Sequence, residues 1–210
     1  MKRILYFDCY TGLSCKKLLE ALLSLGADRS KLKQELGKLV FQKAEEKHLV
    51  TLKQAETVIE ESEIKESIKE RINRILKNTV QIPEVSEEAL LELAAVIIAM
   101  DMLGFSRFFL SPITEGLGMY EGKMVPASAV MSMLEKYRIP VHFLPGEGEK
   151  ITLLGAGIAA CLMSEEKLPS VVYVEKTGLG DEIRAMILQN RMPPGFYHTL
   201  VLKDYRVTLW

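Results

Sequence analysis

The chain has 210 residues, 48% of them hydrophobic and 26% charged, the proportions of a globular chain rather than a disordered or fibrous one. Twenty-seven basic residues against 28 acidic ones leave a net charge of −1, too small a basic excess for a broad nucleic-acid or anionic-membrane surface. Three cysteines cannot all pair and no secretory apolar region opens the chain, so a reducing, cytoplasmic compartment is expected.

Residues 3–9 (RILYFDC) are an apolar run ending in an acid, the pattern of a buried strand. A loop over 10–14 follows. Residues 16–25 then set Leu18, Leu19, Leu22, Leu23 and Leu25 at helical spacing, and Gly26 ends the helix. Strand, glycine-bearing loop and helix in this order predict a parallel or mixed sheet. Asp28 caps a second helix over 31–40, residues 48–52 (HLVTL) alternate as an edge strand, and residues 62–76 carry Ile64, Ile68, Ile72 and Ile75 on one stripe.

Gln81-Ile82-Pro83-Glu84 is the best joint in a chain otherwise expected to form a single domain over 1–210, with a sub-division near 80–86. Ser86 then caps a helix over 86–103 that is apolar nearly all round, the mark of a central buried helix. It is shorter and more acidic than the roughly 20 apolar residues of a membrane span. A strand over 107–110, a long glycine-rich loop over 111–124 and a helix from Pro126 to Tyr137 come next. A short strand over 141–144, a loop over 145–150 and a small-residue helix over 153–163 follow, then strands over 171–175, 185–188 and 198–209. The fold class is α/β (or α+β): a mixed sheet with packed helices.

Four segments carry candidate chemistry. Asp8-Cys9-Tyr10-Thr11-Gly12-Leu13-Ser14-Cys15 places an acid at a strand's C-terminal end and small hydroxyl residues at a helix start, where open α/β sheets bind ligands and free N–H groups favour an anion. An ordinary turn with Ser14 as N-cap explains the same residues. Glu88 and Glu92 lie one turn apart on one helical face, a pair that can hold a hard divalent metal or simply serve as a cap-region charge and a rim acid. In Glu147-Gly148-Glu149-Lys150-Ile151-Thr152, Thr152 can cap the small-residue helix while glycine lets a ligand approach. Thr177-Gly178-Leu179-Gly180 is a lone G-x-G, a weak phosphate signal. His48, His142 and His198 each stand alone, and no G-x-S-x-G, Walker A or Cys–His arrangement supports hydrolase or NTPase chemistry.

In the same order, these segments resemble the nickel insertion protein family of the LarC type, which completes the nickel-pincer cofactor of lactate racemase. Residues 6–14 (YFDCYTGLS), running into Leu18-Leu19-Glu20-Ala21-Leu22-Leu23-Ser24-Leu25-Gly26, resemble the family's D-C-F-S-G-I-S-G-D-M and L-G-A-L-L-D-L-G. Met100-Asp101-Met102-Leu103-Gly104, Ser111-Pro112-Ile113 and Gly116-Leu117-Gly118 are similar to L-D-x-L-G and S-P-x-P-x-G-x-G. Residues 125–129 (VPASA) resemble V-P-x-P-A-x-A, residues 148–156 (GEKITLLGA) resemble G-E-L-V-T-P-T-G-A, and residues 178–184 faintly match G-x-G … P-N-x-x-R.

The resemblance implies a soluble α/β protein and nickel as the metal concerned. It also marks departures. Lys16 stands where the family has an aspartate, the family's H-F-H-E would fall near Val80-Gln81-Ile82-Pro83, and Leu154 replaces the second threonine of T-P-T-G. Family members are longer, with a C-terminal nucleotide-binding portion that has no counterpart after Trp210. Two functions are therefore carried forward: nickel insertion with most metal ligands lost, and a non-catalytic small-molecule or phosphate-binding or scaffold relative. The expected ligand residues are Asp8, Thr11, Gly12, Ser14, Glu149, Thr152, Gly178 and Gly180, and the expected metal residues are Glu88 and Glu92. A small-molecule or cofactor ligand is the expected partner, with a homo-oligomer or a second chain supplying the C-terminal portion, and without nucleic acid or membrane.

Overall fold

The computed structural model describes residues 3–39, 49–79, 84–163, 167–180 and 182–190. The joint at 81–83, His48 and the strand expected over 198–209 lie outside them. The central four-stranded sheet comprises β1 (Arg3–Asp8), β4 (Phe108–Leu110), β8 (Tyr173–Leu179) and β9 (Arg184–Gln189) in the order β4-β1-β9-β8. It is mixed, as the sequence predicts: β1 runs parallel to β4, with Tyr6 opposite Phe109, and antiparallel to β9, with Leu5 opposite Ile187. An interior strand is flanked on both edges and packed on its faces, so its residues read as a near-continuous apolar run.

Helix α1 (Cys15–Leu25) lies across β8 and β9. The contact is close because Gly178 has no side chain: a Cβ there would stand 2.4 Å from the Ala21 carbonyl oxygen and 2.4 Å from the Leu25 nitrogen. Helix α5 (Glu87–Leu103) runs through the middle of the molecule, packed on α1, α2 (Arg29–Leu36) and α4 (Glu66–Asn78). Leu90, Leu93, Val96, Ile97 and Met100 are all buried, which confirms the central helix expected over 86–103 with Ser86 as its cap. Burial of each such side chain is worth about 1.5–3 kcal/mol. Helix α7 (Leu153–Leu162) packs on α4 through its small residues, and a Cβ on Gly157 would meet the methyl groups of Thr79 and Ile75 at 2.9 and 3.0 Å.

Two smaller sheets flank this core. The first, β2 (Leu49–Thr51) with β3 (Glu84–Ser86), brings the start of α5 beside α3 (Leu52–Glu61). The stripe expected over 62–76 is α4, and a helix not expected from the sequence, α3, precedes it, opened by a reciprocal capping box between Thr51 and Gln54. The second sheet, ordered β6-β5-β7, joins β5 (Ile113–Tyr120), β6 (Lys123–Val125) and β7 (Val141–Pro145), with α6 (Ser128–Lys136) packed on α7. It corrects the loop expected over 111–124. Gly116 and Gly118 concealed a strand, because a Cβ on Gly116 would collide with the Glu147 carbonyl oxygen at 2.2 Å and Gly118 sits at φ 109°. Among the described residues no helix is long and apolar enough to cross a membrane.

The α1–β8 contact gives the first prediction. Gly178→Ala should destabilise the protein by about 1–3 kcal/mol, because the added methyl meets backbone rather than a movable side chain. Urea unfolding measures this, and an unchanged midpoint would contradict the packing described.

Candidate functional site

Three helix N-termini meet at one cleft, each closed by a hydroxyl cap. Ser14 Oγ accepts the Lys17 N–H at the start of α1 (3.3 Å), Ser86 Oγ accepts the Ala89 N–H at the start of α5 (3.1 Å), and Thr152 Oγ1 accepts the Gly155 N–H at the start of α7 (3.1 Å). The α1 and α7 starts are stitched together by an isolated parallel bridge between Leu13 and Ile151. In it the Leu13 N–H donates to the Lys150 carbonyl (2.9 Å) and the Thr152 N–H donates to the Leu13 carbonyl (3.0 Å). The approach leaves no room for side chains on either flank: a Cβ on Gly12 would lie 2.3 Å from the Lys150 carbonyl oxygen, and one on Gly155 would lie 2.2 Å from that of Leu13. The resulting cleft, of about 270 Å³, is lined by Ser14, Cys15, Glu84, Ser86, Glu92 and Thr152, among others.

Its two sides carry opposite charge. The first turns of α1 and α7 contain no acid, so their positive ends face the cleft unopposed by their own side chains. The first-turn N–H groups beyond those taken by the caps point the same way. The other side holds the carboxylates of Glu84 and Glu92, and α5 opens with Glu87 and Glu88 in its first turn. Burial and the neighbouring Glu88 push the Glu92 carboxyl above its ordinary range, against the pull of Lys16. Burial, reinforced by the Glu92 charge and opposed by the residue's own backbone N–H, raises the Cys15 thiol to about 12, so it is fully protonated at neutral pH.

The residues expected to bind ligand separate into four groups. Ser14 and Thr152 line the cleft, together with Glu92. Asp8 and Thr11 instead fasten the loop after β1 to the loop before β9: Arg184 pairs with Asp8, Thr11 Oγ1 donates to the Glu182 carbonyl, and Lys17 pairs with the Glu182 carboxylate. Gly12 provides the close approach to Lys150, and Gly178 and Gly180 lie beneath α1, where a Cβ on Gly180 would meet the Lys17 carbonyl oxygen at 3.0 Å. Glu149 Oε1 accepts the Ala127 N–H at 2.9 Å, at the start of α6. Glu88 faces the adjoining groove with Leu19, Leu36 and Leu91, and Glu92 lines both that groove and the cleft.

Cys15, Glu84 and Ser86 complete the cleft without having been singled out as ligand residues. In the sequence Ser86 carried a signal as a cap and Cys15 closed the first candidate segment, whereas Glu84 fell only in the expected joint. Glu115 was not singled out at all. It is fully buried in β5, and its carboxylate accepts the N–H groups of Gly116 (2.7 Å), Lys150 (2.7 Å) and Ile151 (2.8 Å). Burial raises its carboxyl, these three donors lower it, and Glu149 raises it further.

As a metal centre the arrangement is incomplete. Among the described residues no three His, Cys, Asp or Glu side chains gather so as to hold a metal ion. Glu88 and Glu92 offer two carboxylates, where divalent nickel in a square-planar or tetragonal site takes about four donors.

A family model described as nickel insertion protein matches residues 38–190. The chain belongs to the nickel insertion protein family. The matched stretch includes α5, α7 and the Glu115 strand, so two of the three helix starts at the cleft lie within it. A pyridinium-3,5-bisthiocarboxylic acid mononucleotide nickel insertion protein of Acetivibrio thermocellus is 28% identical over 228 aligned positions, which cover 85% of this chain and 56% of that relative. Two provisionally named nickel insertion proteins are similar: that of Geotalea uraniireducens at 27% identity, covering 85% of this chain and 56% of its own length, and that of Citrifermentans bemidjiense at 28%, covering 85% and 57%. The chain thus spans a little over half the length of the curated relatives it matches. No solved structure matches it.

Two predictions follow from the charges around Glu92. Cys15 should be alkylated slowly at mildly alkaline pH, and Glu92→Gln should speed the reaction about two- to fivefold by removing the charge that disfavours the thiolate. Peptide mapping after iodoacetamide treatment measures the rate. The second concerns stability. Folded Glu92 keeps its proton to a higher pH than the ordinary 4.5, so its favourable contribution is complete below that pH and is lost as pH rises through the folded value. Thermal melts between about pH 4 and 7 should therefore show wild type losing ground to Glu92→Gln as pH rises. A gap that moves the other way contradicts the assignment.

Proposed function

We propose that this region serves nickel insertion by binding the pyridinium mononucleotide into which the metal is placed, at the cleft between α1, α5 and α7. The observation that carries the reading is the polarity of that cleft. Two helix N-termini without an acid in their own first turns and the carboxylates of Glu84 and Glu92 line the same cleft. A relative in Acetivibrio thermocellus is named for a pyridinium-3,5-bisthiocarboxylic acid mononucleotide, a molecule with a cationic ring and anionic phosphate and thiocarboxylate groups. Such a zwitterion matches both sides: the anion meets the N–H groups of α1 and α7, and the ring's positive charge meets the carboxylates.

Ser14 and Thr152 hold the two helix starts in shape, and Glu92 orients the cation. Nickel is cargo in this reading. Glu88 and Glu92 supply carboxylate oxygens at its entrance, and the substrate's own thiocarboxylate sulfurs are strong donors for it. The chain works in a reducing, cytoplasmic compartment, consistent with the free thiols of Cys9, Cys15 and Cys161.

One observation favours the second reading, a non-catalytic binding relative. Lys16, in the first turn of α1, puts an ammonium near Glu92 where the family pattern carries an aspartate, and this strengthens anion binding while removing a metal donor.

Calorimetric titration with nicotinic acid mononucleotide, a pyridinium carboxylate mononucleotide, tests the binding. Saturable one-to-one binding is expected, weakened about tenfold by Glu92→Gln and abolished when the phosphate-free riboside replaces the nucleotide. Absence of binding at about 1 mM nucleotide would refute the reading. Repeating the titration with the bisthiocarboxylic acid mononucleotide and Ni²⁺ separates the two functions. Growth of a sulfur-to-nickel charge-transfer band reports insertion, and binding without that band reports the non-catalytic relative.

A further inference from the structure

Glu115 is the one carboxylate buried completely among the described residues, and it points at no cation. Burying an ionised carboxylate is unfavourable unless it is hydrogen-bonded, and three backbone N–H groups at 2.7–2.8 Å meet that need. Two of the three belong to Lys150 and Ile151, residues of the same short segment that forms the bridge to Leu13. Lys150 gives its N–H to Glu115 and receives the Leu13 N–H on its carbonyl, and Thr152, next but one, gives its N–H back to Leu13.

That bridge is a single ladder unit held by two hydrogen bonds, too little to fix the position of two helix starts. The Glu115 carboxylate takes the place that a neighbouring strand would occupy in a larger sheet. Gly116 makes the geometry attainable, since its missing side chain lets the 147–148 backbone lie directly on β5.

We propose that Glu115 is a positioning residue for the cleft: its carboxylate clamps residues 150–151 and so holds the α7 N-terminus in register with that of α1. The ligand contacts Thr152 and the first turns of α1 and α7, not Glu115, which acts from behind them. This inference rests on the binding reading for its functional meaning but not for its structural test.

The variant is Glu115→Gln, which keeps size and one accepting oxygen but turns an NH₂ group toward a backbone N–H. Ile72→Val, in the buried face of α4, serves as a control that destabilises without touching the clamp. Amide hydrogen exchange is followed at Leu13, Ile151 and Thr152, and affinity is followed with nicotinic acid mononucleotide. In Glu115→Gln these three amides should exchange at least tenfold faster than in Ile72→Val compared at equal global stability, and affinity should fall about tenfold while Ile72→Val binds as wild type does. Unchanged protection of Leu13 and Thr152 in Glu115→Gln would overturn the proposal whether or not the nucleotide binds. Faster exchange together with wild-type affinity would overturn it as well. Failure of wild type itself to bind the nucleotide would count against the binding reading alone, and the exchange comparison would still decide the role of Glu115.

Discussion

The pairing of Leu13 with Ile151 is the constraint on which the candidate site depends. It joins the segment that follows β1 to the segment that precedes α7, residues far apart in the chain, and brings Ser14 and Thr152 to the same opening. Neither helix could stand so close without Gly12 and Gly155, whose missing Cβ atoms leave space for the Lys150 and Leu13 carbonyls. The rest of the architecture serves this junction. The central sheet anchors β1, α5 fills the interior and presents Ser86 as the third cap, and the small β6-β5-β7 sheet delivers Glu115 to the segment before α7.

Polarity, more than any single reactive group, defines what the cleft can do. Helix N-termini attract anions only where no acidic side chain answers them first. That condition holds for α1 and α7 and fails for α5, whose opening acids turn the third side negative. The buried thiol of Cys15 is no nucleophile in this setting, since burial and Glu92 keep it protonated. This polarity is what the proposed function rests on: recognition of a zwitterionic molecule. Among the described residues the Cys15 thiol, the one thiol lining the cleft, is held protonated.

Much of the fold was legible in the sequence because local patterns and final packing agree. The leucine spacing of α1, the all-round apolar character of α5 and the small-residue run of α7 each announce the face they bury. Legibility failed where a local signal had two meanings. The glycines of β5 imitate a loop, yet they are there because neighbouring backbone lies on the strand. Helix α3 buries only Ala55 and Ile59, too sparse a stripe to show beside the isoleucines of α4, although its Thr51–Gln54 capping box was available.

At the site, Ser14 and Thr152 were readable as caps one at a time. Their convergence depends on the Leu13–Ile151 bridge, a long-range contact that no periodicity encodes. Gly178 and Gly180 have the spacing of a phosphate loop and serve instead as the seat of α1. The central claim is that α1 and α7 present their N-terminal amides jointly to one anion. Backbone amide chemical shifts recorded during titration with nicotinic acid mononucleotide test it most directly. The account predicts large, concurrent shifts at Cys15, Lys16, Leu153 and Leu154 that saturate together. Shifts centred on 178–184, or none at the α7 start, would contradict it.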